Sequence, residues 1–126
     1  MGAFRTFFMV FLVSLGLPGS AQATGTIDTV FAGCVGRMSA EMEHAWLMGE
    51  DSENAAEHRA VFLSLLEATM IQERARDLLA HRIAAKMSQA SLLTVASLSG
   101  DENRAQRAEE LSRAQVASCT RLLLDS

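Results

Sequence analysis

The sequence predicts an all-α fold of three antiparallel helices, the central one longest. Three observations predict it. From Asn54 to Leu98 the chain runs about 45 residues without Gly or Pro, and nearly all of them are tolerable helix formers. Within that stretch Val61, Phe62, Leu65, Leu66, Thr69, Leu79, Ile83, Met87, Ala90 and Leu98 recur at helical spacing, not at strand alternation. Gly49 on one side and Ser99-Gly100-Asp101 on the other punctuate the chain, leaving a segment of helical length beyond each. A continuous central helix would span roughly 67 Å at about 1.5 Å per residue. The flanking helices would fold back on it, as a compact three-helix bundle or as an open double hairpin.

The first segment reads as an address. Arg5 supplies a positive start, Phe7 to Leu17 form an apolar run too short to span a bilayer comfortably, and Pro18-Gly19 break it. Ala21-Gln22-Ala23 is a small-residue cleavage site, so residues 1–23 are expected to be a secretory signal peptide cut after Ala23. Residues 24–126 then form a single helical domain with no stable membrane anchor, periplasmic or secreted. Without Arg5 the net charge moves from −4 to −5. Such an acidic chain excludes nucleic acid as a natural partner, since phosphate contacts need clustered Lys and Arg.

Helix one is expected over about Ile27–Met48. Thr26 is the N-cap, and Asp28 in the first turn suits the helix dipole. Its apolar face reads Ile27, Phe31, Cys34, Val35, Met38, Met42 and Ala45, with Trp46 at the edge. Gly33 and Gly36 each weaken a helix by about 1 kcal/mol relative to Ala, and each lets a neighbouring helix come close. Gly49 is the stop. Asp51 or Ser52 caps the long helix. Gly100 is expected in the left-handed conformation and Asp101 as a fresh N-cap. Helix three then runs from about Glu102 to Leu123, with Ala105, Ala108, Leu111, Ser112, Val116, Cys119, Leu122 and Leu123 inward.

Two features of the central stretch stand out. Gln72, Glu73 and Arg76 interrupt its apolar stripe, reading as a polar seam where the covering helices run out, or as a small polar site with Asp28 or Arg121. A second row, with Leu63, Ile71 and Leu78 at its head and Ala85 and Leu92 beyond, lies on the opposite face near heptad spacing. That row is expected to meet a protein partner or a second copy, unless a shorter, bent helix is buried on both sides.

Two cysteines in an exported chain favour a disulfide. Pairing Cys34 with Cys119 encloses a loop worth about 4 kcal/mol in the chain-entropy account. Tight turns around a straight central helix would leave these residues about 20 Å apart, well beyond bridging distance. An intramolecular bond, the favoured outcome, therefore requires a shorter central helix. A straight one leaves the cysteines free, or paired between chains.

No catalytic set emerges: the sequence has no phosphate-cradling loop, dinucleotide fingerprint, nucleophile elbow or metalloprotease pair. Glu41 and His44 form one Glu-x-x-His pair, where di-metal helical sites use two. Met38, Met42 and Met48 lie nearby, and His58 and His81 stand alone. The expected function is a non-enzymatic, exported binding or adaptor protein, or a self-associating one, acting through helix surfaces without a cofactor. The alternative is metal or small-ligand binding by Glu41, His44 and the nearby Met residues.

Overall fold

The computed structural model describes residues 26–125, and every regular element among them is helical. The expected signal peptide and its cleavage site lie outside the described residues. The elements are α1 (Ile27–Met48), α2 (Glu53–Thr69), a 3-10 turn (Gln72–Arg74), α3 (Ala75–Leu98) and α4 (Glu102–Leu124).

Helix α1 has the predicted bounds. Gly49 ends it at φ +70°, with its N–H directed to the carbonyls of Ala45 and Trp46, a left-handed cap that glycine adopts without a Cβ penalty. Thr26 occupies the N-cap position, but its hydroxyl donates to the Asp28 carboxylate and makes no backbone cap. Before α2, Asp51 Oδ1 accepts from the Glu53 N–H at 2.9 Å. Asp101 caps α4 by accepting from the Arg104 N–H at 3.1 Å. Gly100 departs from expectation: among the described residues only Gly49 has a positive φ, and Ser99 closes α3 in an extended conformation.

The single central helix is corrected to two. Met70 and Ile71 are extended, at ψ 134° and 144°, and the 3-10 turn follows. No Gly or Pro marks this break. Helix propensity contributes only tenths of a kcal/mol per residue, so tertiary packing decides it. Two things are gained. The chain reverses, so α3 runs parallel to α1, and α3 is turned so that the Leu78 face meets the core. Leu78 is 2% exposed while Leu79, Ile83 and Met87 are 54, 53 and 64% exposed. The primary stripe is therefore buried on α2, through Phe62 and Leu66, and inverted on α3.

Side-chain pairs fix the directions. Asp28 meets Arg74 and Glu41 meets Gln89, so α1 and α3 run together. Phe31 meets Phe62 with ring centroids 6.2 Å apart, and Ser39 Oγ accepts from Arg59 Nε at 2.9 Å, so α2 runs against α1. Gln89 meets Ser112, and Cys34 bonds Cys119, so α4 returns antiparallel to both. Consecutive helices are antiparallel, but among the described residues there are four and not three. Helix α1, not the central stretch, is the hub: it packs most extensively on α3 and α2, and it meets α4 at Cys119 and again at Ser112.

The core gathers Ala32, Cys34, Val35 and Met38 of α1, Phe62 and Leu66 of α2, Leu78 of α3 and Cys119 of α4. Burying a side chain the size of Phe62 contributes about 1.5–3 kcal/mol. Gly36 is the closest meeting of α1 with α3. A Cβ there would lie 2.2 Å from the Arg82 carbonyl oxygen and 2.9 Å from the Lys86 nitrogen.

The Cys34–Cys119 disulfide is intramolecular, with Cα atoms 5.6 Å apart and 85 positions between the two in sequence. The break at Met70–Ile71 supplies the shorter middle helix that this pairing needs. Among the described residues no helix is long and apolar enough to cross a membrane.

Candidate functional site

The expected partner row does not survive as one surface. Ile71 is exposed at the break, Leu63 is half-buried and Leu78 is buried. Leu63 and Leu78 face into the crevice of the α2–α3 elbow beside Leu66 and Met70. Bending the helix turns these positions inward, the physical reason the row closes. Gln72 and Glu73 are exposed on the 3-10 turn and Arg76 is exposed in the first turn of α3, a solvated stretch at the elbow. The inward contact comes from Arg74 instead. Its guanidinium donates to the Asp28 carboxylate and to Thr29 Oγ1, the latter at 2.9 Å. The Thr26 hydroxyl donates to the same carboxylate and holds the Asp28 pKa below its ordinary value, with burial opposing and Arg74 and the Thr29 N–H adding to the lowering. This joint pins the start of α1 to the elbow.

At the other end of the bundle, α1, α3 and α4 diverge around a cleft of about 580 Å³. Small side chains open it: Ala96 of α3 and Ala117 of α4 leave room that longer residues would fill. Leu93 and Val116 give it an apolar wall. Glu41 and Ser112 line it from α1 and α4, and Gln89, 1% exposed, holds them in place. The Gln89 amide Nε2 donates to Glu41 Oε1 at 2.6 Å and to Ser112 Oγ at 2.9 Å. Ser112 Oγ stands 3.4 Å from the same carboxylate oxygen. His44 Nε2 lies 2.9 Å from Ser97 Oγ across the mouth. On the α4 rim, Arg113 Nη2 pairs with Glu109 Oε1 at 2.5 Å.

A smaller cavity of about 220 Å³ adjoins the cleft and shares Glu41, His44, Glu50 and Val116 with it. It reaches α2 at Asn54 and His58, and Met38 lines its α1 side. The Glu-x-x-His pair of the sequence is thus brought to one place. His58, which stood alone in the sequence, joins it because α2 folds back from Gly49. His81 lies elsewhere, with Nε2 beside Gly33. Met42 faces another small cavity with Glu43 and Lys86, and Met48 is exposed, so the Met residues do not gather around Glu41 and His44. Among the described residues no three His, Cys, Asp or Glu side chains converge to hold a metal ion.

Sequence spacing could not reveal Gln89 and Ser112, which reach Glu41 from 48 and 71 positions away. The only signal was Ser112 among the inward positions of helix three; the sequence pattern set Gln89 on no inward face. The disulfide stands apart from this cleft; Arg37 Nη1 donates to Cys119 Sγ at 3.7 Å, and burial pushes its guanidinium pKa down.

Set against known proteins, the chain matches no family model, no curated protein and no solved structure.

Proposed function

We propose that this is a small exported, non-enzymatic protein that self-associates through the outer face of α3. One observation carries the reading. From Ile83 to Leu98 the exposed positions of α3 include Ile83, Ala84, Met87, Ser88, Ser91, Thr94 and Leu98, and none of the exposed positions there is charged. Leu79 extends the apolar part by one turn, giving Leu79, Ile83 and Met87 at successive four-residue steps. Exposed rows of large apolar side chains on a helix mark interaction surfaces more than isolated ones do.

The occupant proposed is a second copy. Exported without residues 1–23 and their Arg5, the chain carries a net charge of −5, so two copies repel over most of their surfaces. Glu43, Arg59, Arg82 and Lys86 border this face at its Leu79–Ile83 end, with Lys86 paired to Glu43, but from Ile83 to Leu98 no exposed position is charged, so two copies can meet there with little opposing like charge. An antiparallel pairing about Ile83 sets Leu79 of one copy against Met87 of the other, which a two-fold interface requires of itself. Small Ala84 and Ser88 beside the row allow close approach.

Sedimentation equilibrium on the chain expressed through an oxidising compartment tests this. A dimer at micromolar protein that becomes a monomer in the Ile83→Asp and Met87→Asp variants, with helicity unchanged, is the expected result. A wild-type chain that stays monomeric up to the highest soluble concentration overturns the reading, as does a dimer indifferent to both substitutions.

A further inference from the structure

We infer that the cleft between α1, α3 and α4 is a binding site for a small organic ammonium ion, a primary amine or diamine with a short hydrocarbon body. The site is separate from the α3 outer face and does not depend on self-association.

Size comes first. A cleft of about 580 Å³ with an adjoining cavity of about 220 Å³ falls in the range that small-molecule sites occupy. A bare metal ion would leave most of that space empty, and no three metal-type donors converge among the described residues. Leu93 and Val116 give the cleft an apolar wall suited to methylene groups.

Charge comes second. Glu41 lines both cavities, and its partners are neutral: the Gln89 amide at 2.6 Å and the Ser112 hydroxyl at 3.4 Å. Among the described residues the ion pairs take Asp28, Glu43 and Glu109, and leave Glu41 without a cation. Gln89 is nearly wholly buried and holds Glu41 in one orientation, so the carboxylate is fixed before any ligand arrives. Its remaining lone pairs are free for an incoming ammonium N–H, the stronger charge-assisted kind of hydrogen bond. Arg113, which lines the large cleft, is already paired with Glu109. Among the described residues the small cavity is lined by no Lys or Arg, and its other shared carboxylate is Glu50. A diamine could then place one ammonium on Glu41 and its chain along Leu93.

Isothermal titration with 1,4-diaminobutane tests this on the disulfide-bonded chain, beside the neutral analogue 1,4-butanediol. The expected result is saturable one-site binding of the diamine, none of the diol, and a loss of about tenfold or more in affinity for Glu41→Gln. Glu67→Gln, which removes the same charge from the exposed side of α2, should leave affinity within about twofold by simple screening. Equal weakening by the two variants would mean only diffuse attraction to an acidic surface, and would overturn the site. So would an absence of saturable binding by the parent chain. Should Glu41→Gln prove unstable, Ala96→Phe fills the cleft from its rim, and unchanged diamine affinity in that variant overturns the proposal equally.

Discussion

Gly36 of α1 rests on the Arg82 carbonyl of α3. A Cβ at this glycine would stand 2.2 Å from that oxygen, a separation real atoms do not tolerate. The two parallel helices therefore meet backbone to backbone, and their spacing is set by a missing side chain. Gly36→Ala should lower stability by about 1–3 kcal/mol through overpacking, despite the better helix propensity of Ala. Gly33 gives the contrast. Its Cβ would meet only the His81 ring at 3.3 Å and the end of Arg37 at 3.4 Å, both movable. Gly33→Ala should be near neutral or mildly stabilising. Thermal melts of the two variants separate them, since about 1 kcal/mol moves the midpoint of a domain this size by about 4–8 °C.

Asp28 makes the fold sensitive to acid. The hydrogen bond from Thr26, with lesser help from Arg74 and the Thr29 N–H, lowers its carboxyl pKa against the opposing effect of burial. A carboxylate with a folded pKa below its unfolded value of about 3.9 stabilises the fold above that value. The contribution is lost as pH falls through the lower folded pKa. Urea midpoints measured from neutral pH downward should drop below about pH 4, and Asp28→Asn should make that drop shallower. An acid limb left unchanged by Asp28→Asn would show that other carboxylates govern it.

Reducing the disulfide should cost about as much as truncating a large core side chain such as Phe62. The bond closes a loop spanning 85 positions, for which the chain-entropy model gives roughly 4 kcal/mol. The double variant Cys34→Ala, Cys119→Ala should unfold at markedly lower denaturant with its helical spectrum retained when folded. Equilibrium urea unfolding of the oxidised chain and the variant gives the difference directly. The intact mass of the oxidised chain should be that of a monomer with both thiols consumed.

Much of the frame is legible in the sequence. Helix α1 and its Gly49 stop, the Asp101 cap and the pairing of Cys34 with Cys119 follow from local chemistry and from cysteine count in a chain expected to be exported. The break at Met70–Ile71 was not legible, because Thr69, Met70 and Ile71 carry no helix-stopping signal that outweighs their neighbours. Its consequence was a choice of phase. Helix α3 has apolar rows on two faces, Leu78–Ala85–Leu92 and Leu79–Ile83–Met87, and periodicity alone cannot say which one turns inward. The fold turns the Leu78 row inward and leaves Leu79, Ile83 and Met87 exposed, the reverse of the sequence expectation. The candidate cleft was half legible: Glu41 and His44 share a helix face by spacing, but Gln89, Ser112 and His58 arrive through the tertiary fold.

The bond between the first helix and the last makes the bundle a covalent ring with two tails. A protease that cuts once in the Glu50–Ser52 turn, at the elbow, or between Ser99 and Asp101 opens the ring without releasing a piece. The nicked molecule keeps its mass apart from one added water, and its halves stay at each other's side. Such cuts show on a gel only after reduction, so an intact band under oxidising conditions is no measure of an intact chain.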